Sequence, residues 1–331
     1  MWIFSCGDPE KRIWLRPGER YVFGRVRPSN TDPVNIEIPA ERMLSRTHLI
    51  VNVSPVGEGD GINIKRRSKV TLQDPGSKHG TRVDGVEIRG KEFPLADNKN
   101  SFTIVLGKMT KPYRLQWVPI ILSFNIPSKE RNNKFFLAPF RNKLEQFDIK
   151  TIPVWVPGST HVVATKRNTP IGLQGLICGA HIVTSDYVDA IVAQTKRLPI
   201  PENSLEIPRC PLEIDFDDFF PDPMEYLPPP ANEPTNLPAE MYRPDPKRRR
   251  MFEGWTFMFF GERQCRALLG PIVDGHGKTE VYDMTWGKTT PQEFVSHVRQ
   301  RGRDVALIRP ISIPEELKDW TEEFIAEVES M

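Results

Sequence analysis

Ser77-Lys78-His79-Gly80-Thr81-Arg82-Val83-Asp84-Gly85 is too rich in turn residues for a helix and too punctuated for one long strand. Glycine reaches backbone conformations closed to other residues, and Asp-Gly is a strong short-range turn signal. Outward from it, Trp2-Ile3-Phe4 and residues 12–15, 21–24, 35–38, 47–53, 61–65, 69–72, 102–106 and 113–117 read as short strands separated by Pro-Gly, Asp-Gly and Gly-Asp. Many short strands without a helix predict a β-sandwich over residues 1–117.

Three polar clusters lie in order on that β background: Gly24-Arg25, Ser45-Arg46-Thr47-His48 and the quoted stretch. A phosphorylated side chain is a dianion with strong acceptor oxygens. A receptor for it needs fixed donors, among them a guanidinium that stays charged at every relevant pH. Arg25 and Arg46 supply charge, while Ser45 and backbone N–H groups supply short, directional bonds. Each charge-assisted bond contributes about 1.5–3 kcal/mol. Three or four, less the entropy of ordering a peptide, give a micromolar complex at about −8 kcal/mol.

These clusters resemble the FHA family, whose pattern runs G-R, S-x-x-H and S-x-x-G-T-x-x-N-G; every position but one matches. The resemblance implies that Arg25 and Ser45 grip a phosphate, with Arg46 adding charge. It implies further that His48 braces the loop from inside, Gly24 supports it, and Gly80 and Thr81 shape a floor favouring phosphothreonine. Lys78 and His79 are candidates to attract acidic residues after the phosphothreonine. Asp84 stands where the family has asparagine, and a carboxylate accepts but cannot donate. The family's clamp on the peptide backbone is therefore not expected intact.

Past residue 117 strands alternate with helices: an apolar Ile120-Ile121-Leu122, Val154-Trp155, Thr160-His161-Val162-Val163, a helix at 171–178, Ile182-Val183, and a helix at 185–194 with Ser185 as its cap. This predicts a small parallel α/β unit over residues 118–198. Residues 199–250 are rich in proline and acid and end in Lys247-Arg248-Arg249-Arg250; an extended linker is expected, with Phe216, Phe219, Phe220 and Tyr226 able to pack along neighbours. Residues 251–331 repeat the earlier order, predicting an internal duplication: a buried strand at 255–260, then a helix at 262–269, strand-like 280–282, a helix at 291–300, a strand at 305–308 and a helix at 314–328 opened by Pro314.

The Thr160-His161-x-Val163 strand, the Leu176–Val183 stretch and Ser185-Asp186-Tyr187-Val188 resemble the BRCT family, and Trp255–Phe260 with Trp320 fit a second repeat. The fold class is thus a multidomain chain: an all-β FHA sandwich followed by two small α/β BRCT domains with parallel sheets. Paired BRCT domains often bind phosphoserine through a Ser or Thr after the first strand and a Lys opening the second helix; here that helix is expected to open at Pro170-Ile171-Gly172, with Lys166 and Arg167 one loop earlier. Ser123 with Lys166 or Arg167 is the candidate pocket on that resemblance.

Composition narrows the function classes. The net charge of +2 does not support general attraction to DNA phosphates. No apolar run reaches the roughly 18 residues of a membrane span, and no secretory signal is expected at the start. The four cysteines are scattered without zinc-ligand spacing, so they read as reduced and structural, with no metal and no cofactor expected. No nucleophile elbow, Walker loop or metalloprotease motif occurs, so no catalytic residues and no enzyme activity are expected. The basic run 247–250 is open to three readings: nuclear import signal, DNA contact or solvated surface.

The succession of modules resembles that of a nuclear subunit of the DNA double-strand-break repair complex. It implies an adaptor of repair and checkpoint signalling that docks phosphorylated repair and checkpoint proteins through acidic phosphoserine or phosphothreonine motifs. Such a subunit holds a nuclease and a coiled-coil ATPase through a region beyond the end of this sequence. DNA contact would be indirect, no membrane partner is implied, and the expected location is the nucleus. A different FHA- and BRCT-containing checkpoint scaffold, or a direct DNA-binding repair protein, is the alternative.

Overall fold

The computed structural model describes residues 1–6, 11–25, 34–38, 44–199, 208–231, 233, 235, 237–285, 287–302, 304–310, 313 and 315–330. Two compact units divide it: Met1–Val163 with Val183–Tyr226, and Ala164–Ile182 with Leu227–Met331.

The first unit opens with β1 (Trp2–Cys6), β2 (Lys11–Leu15), β3 (Arg20–Gly24), β4 (Val34–Glu37), β5 (Leu49–Val53), β6 (Val70–Gln73), β7 (Thr81–Val83), β8 (Val86–Glu87), β9 (Glu92–Pro94), β10 (Ser101–Leu106) and β11 (Tyr113–Trp117). They form two sheets, ordered β2-β1-β11-β10-β7-β8 and β4-β3-β5-β6-β9, with β3 and β4 parallel and β3 and β5 antiparallel. The expected sandwich is present.

Both faces of β1 are buried, which explains why its sequence is apolar without alternation. Trp2 and Phe4 enter the core between the sheets with Ile13 and Leu15 of β2. Ile3 and Trp14 leave on the opposite face and join Leu122, Phe124, Phe147 and Tyr187 in a second core. Successive side chains point to opposite faces of a strand, so two apolar surroundings require an unbroken apolar run.

The second core lies on a parallel sheet. Its chain order is β12 (Ile121–Phe124), α1 (Ala138–Leu144), β13 (Lys150–Ile152), β14 (His161–Val163), α2 (Pro170–Cys178), β15 (His181–Val183) and α3 (Asp186–Gln194), and the strand order is β13-β12-β14-β15. β12 pairs in parallel with both β13 and β14. The second expected strand is displaced: β13 ends before Val154 and Trp155.

Other expectations change on inspection. Residues 61–65 do not form a strand; Asp60–Ile62 is a short 3-10 turn, because Gly59 takes a left-handed conformation and the Asp60 carboxylate accepts from Gly57 N at 3.2 Å. Gly61 N is used elsewhere, donating to Glu145 Oε1 at 2.8 Å. Ser185 precedes α3 but already has helical dihedrals, and its hydroxyl makes no capping bond. Nor is the proline-rich stretch without core. It folds into α4 (Pro211–Ile214) and α5 (Phe216–Phe219), and buries Cys210, Leu212 and Phe216 in the second core of the same unit.

In the second unit, α2 accompanies β16 (Thr256–Phe259), α6 (Glu262–Asp274), β17 (Lys278–Val281), α7 (Pro291–Gln300), β18 (Val305–Ile308) and α8 (Lys318–Ser330). The strand order is β17-β16-β18, both pairings parallel. Strand alternation sends Met258 to one core, with Phe294 and Phe324, and Phe257 and Phe259 to another, with Cys265 and Ile272. The strand at 255–260 is less buried than expected, since Trp255 is 42% exposed. The duplication is partial: a helix, not a strand, follows β17. Pro314 lies outside the described residues, and α8 begins at Lys318 after a 3-10 turn at Glu315–Leu317.

Candidate functional site

Gly24 ends β3 where the chain passes against the 44–48 loop. A Cβ there would sit 1.6 Å from the Arg46 carbonyl oxygen, so the close approach admits only glycine. That approach ties the next residue down: Arg25 N donates to Ser45 O at 3.2 Å. The first two clusters are therefore joined through backbone, with the side chains of Arg25 and Arg46 exposed and that of Ser45 half-buried. Among the described residues Arg25 has no carboxylate partner.

His48 carries the connection onward from inside. It is wholly buried. Its Nδ1 accepts from Ser45 N at 3.0 Å, which places the ring proton on Nε2, facing Gly80 O at 3.1 Å. Burial pulls the imidazole pKa below its usual value, against the raising effect of the Gly80 carbonyl. Ser45 Oγ in turn accepts from Lys78 N at 3.0 Å. A hydroxyl that accepts still has its own proton to donate, so Ser45 remains a donor while locked in place.

The third cluster is built on Asp74, a residue absent from the sequence expectation. Its carboxylate accepts from Gly76 N at 2.9 Å, Ser77 N at 2.6 Å and Ser77 Oγ at 2.7 Å. Burial opposes the charge, but the bonds from Ser77 hold the carboxyl below the usual range. Asp-Pro-Gly at 74–76 is itself a turn signal whose aspartate caps backbone N–H groups, and it could have revealed this role.

Gly80 is left-handed at φ 71°, and Gly107 N donates to Gly80 O at 2.8 Å. Thr81 is completely buried, while Lys78 is exposed and His79 half-exposed. Asp84, at φ 50°, accepts from Thr103 N at 3.0 Å and pairs with Lys99 Nζ at 2.7 Å. Burial is unfavourable to its charge, yet the Lys99 bond keeps it below the ordinary carboxylate value. Asp84 thus fixes the β7–β8 turn to β10. Charge is also segregated: residues 1–117 carry 20 Lys and Arg against 13 Asp and Glu, and the rest 25 against 30.

The expected phosphoserine pocket requires a correction at Ser123. This residue lies inside β12, not after it, is completely buried, and shares a 2.6 Å hydrogen bond with Ser159 Oγ. That hydroxyl is thus already paired and has no exposed surface. In the second unit, Arg167 donates to Pro228 O at 2.5 Å and lies over the Tyr242 ring at 4.9 Å, while Lys166 is exposed. The basic run forms a 3-10 turn at Pro246–Arg250. Arg248 donates to Met241 O and Arg243 O, Arg249 to Cys178 O, and Arg250 to Glu253. Among the described residues no group of three His, Cys, Asp or Glu could hold a metal, and no helix is long and apolar enough to cross a membrane.

Comparison with known proteins bears on the fold. The family described as the second BRCT domain on Nijmegen syndrome breakage protein matches residues 246–331. Nibrin of Gallus gallus is 21% identical over 344 residues, covering 100% of this chain and 39% of the relative. This is a nibrin-like chain. Nibrin of Danio rerio is 23% identical, covering 82% of the nibrin-like chain and 28% of the relative. The chain thus spans about a third of the length of these curated relatives. In fold it matches the S. pombe Nbs1 FHA-BRCT1-BRCT2 domains, with a TM-score of 0.56, 16% identity, and coverage of 100% and 99% of the two chains. The S. pombe Nbs1-Ctp1 complex matches with a TM-score of 0.50 and 18% identity, covering 100% and 97%. The nibrin-like chain therefore has an FHA sandwich followed by two BRCT folds with parallel sheets.

Proposed function

We propose that the nibrin-like chain is a non-catalytic adaptor of DNA double-strand-break repair and checkpoint signalling. In this reading its FHA module, residues 1–117, docks repair factors phosphorylated on threonine within acidic motifs. The observation that carries it is the convergence of three loops. Arg25 N meets Ser45 O, Ser45 Oγ meets Lys78 N, and His48 bridges Ser45 to Gly80. Such an array offers a charged guanidinium, a donor hydroxyl and exposed cations on a fixed frame, which is what a dianionic phosphate with acidic neighbours requires.

Arg25 and Ser45 contact the phosphate, Arg46, Lys78 and His79 favour acidic flanks, and Gly24, His48, Gly80, Thr81 and Asp84 hold the loops. BRCT modules over residues 118–198 and 251–331, joined through 199–250, complete the adaptor, which works in the nucleus. The S. pombe Nbs1-Ctp1 complex, in which a similar fold binds another protein, supports docking of a protein partner. A nuclease and a coiled-coil ATPase are further partners of the whole protein on this reading.

Calorimetry with a phosphothreonine peptide flanked by aspartates tests it. Arg25→Ala and Ser45→Ala should each weaken binding by about ten-fold or more, from the 1.5–3 kcal/mol of a charge-assisted bond, while far-UV circular dichroism stays unchanged. Unaltered affinity in folded variants would refute it.

A further inference from the structure

The loop between β12 and α1 is a basic island in an otherwise acidic part of the chain. Residues 128–144 carry five Lys or Arg and one Asp or Glu. Lys129, Arg131 and Lys134 are exposed. The lone acid, Glu130, accepts from Asn133 Nδ2 at 3.0 Å, and among the described residues none of these three cations pairs with a carboxylate.

Beside them stands an aromatic ring with no apolar cover. In Phe135-Phe136-Leu137, followed by Phe140, three side chains turn inward: Leu137 is buried, and Phe136 and Phe140 pack beside the core, Phe140 against Phe124 at 4.9 Å. Phe135 is 79% exposed. It is presented by a fixed turn rather than a loose end. Asn133 Oδ1 accepts from Phe135 N at 3.0 Å, Asn133 O from Phe136 N at 3.1 Å, and Phe135 O from Ala138 N at 3.0 Å. Bonds from Arg131 N to Ser128 O and from Asn133 N to Glu130 O repeat this three-residue spacing. Arg131 and Lys134 are exposed on either side of Asn133, the residue whose bonds fix the turn, and Lys134 precedes the ring directly in sequence.

We infer that this loop is a contact site for single-stranded nucleic acid, with a base stacked on Phe135 and adjacent phosphates held by Lys129, Arg131 and Lys134. Single strands offer an unstacked π-face and a phosphate at every residue, and every base can stack, so the contact needs no sequence preference. Duplex DNA hides its base faces and would use the cations alone. An acidic peptide would use the cations and leave the flat ring without a matching face. The site uses none of the residues assigned to phosphothreonine and does not depend on that reading.

The test is fluorescence anisotropy of the intact chain with a labelled oligothymidylate of about 15 nucleotides, across a salt series. Phe135→Ala should weaken binding at least about five-fold, the lower end of what base stacking contributes, without changing the salt slope; Phe135→Trp should restore it. Lys129→Ala/Arg131→Ala/Lys134→Ala should reduce the slope of log K against log salt by about 2, at roughly 0.7 per phosphate contact. Duplex binding should respond to the triple variant and not to Phe135→Ala. Phosphothreonine-peptide affinity should be unmoved throughout, which separates this site from the FHA reading. Unchanged oligothymidylate binding in Phe135→Ala overturns the inference, as does an equal Phe135 dependence for duplex or for an unphosphorylated acidic peptide.

Discussion

His48 shows how one side chain sets a binding surface it never reaches. Neutral, it accepts from Ser45 N and donates to Gly80 O; doubly protonated, it could only donate, and the bond to Ser45 N would be lost. Burial lowers its pKa in the fold, so the unfolded chain takes up a proton first. The stability it contributes is complete above about pH 6.5 and declines as pH falls from there toward the lower folded value. Urea denaturation across pH 7.5 to 5 should show that decline, and His48→Ala should remove it while costing about 1–3 kcal/mol for the two groups left unpaired. A decline of the same size in the variant would contradict this assignment. Arg25, Ser45 and His48 were readable because phosphate chemistry needs those residue types at that spacing. Asp74 was not, because its work is with backbone N–H groups that any residue could carry.

At the scale of elements, the basic run is a clasp within the second unit. Arg249 donates through Nε and Nη2 to Cys178 O at 3.2 and 3.0 Å, at the end of α2, where carbonyls lack partners and cations are favoured. Arg249→Ala should lower the stability of that unit by about 1 kcal/mol, visible as a shift in its thermal transition; an unmoved transition would return Arg249 to the solvated surface. Of three open readings, composition could not choose, since charge alone does not reveal which carbonyls lie within reach. The sandwich strands were legible for the opposite reason: alternation and turn chemistry are local. The strand expected at 61–65 failed where local signals mislead. Ile62 and Ile64 are both exposed, and Gly59 and Asp60 turn the chain before it can pair. Short strands such as β7 and β8 were hidden within the third cluster, their few residues given over to turns.

At the scale of the whole molecule, the proline-rich stretch up to Tyr226 is a structural part of the first unit, held there through one buried carboxylate. Glu213 accepts from Arg197 Nε at 2.9 Å, Cys210 N at 2.9 Å and Tyr21 OH at 3.0 Å. Burial disfavours its charge, but the Arg197 bonds prevail and hold it below the usual carboxylate range. Its contribution is present above the unfolded value near pH 4 and is lost as pH falls through the lower folded one. Glu213→Ala strips Arg197 of its buried partner, leaving it Glu19 alone, and takes from Tyr21 the acceptor for its hydroxyl proton; it should cost about 3–5 kcal/mol, measured by thermal denaturation at neutral pH, and a loss below about 1 kcal/mol, the worth of a surface pair, would contradict it. The stretch read as a spacer because its composition is polar, whereas its burial depends on partners far away in sequence. The central claim is that a rigid sandwich presents Arg25 and Ser45 to a phosphorylated threonine, and calorimetry of the intact chain with one acidic peptide, phosphorylated and unphosphorylated, tests it most directly. The account predicts micromolar binding of the phosphorylated form and at least about 100-fold weaker binding of the other, two charge-assisted bonds being lost; equal affinity for the two would contradict it.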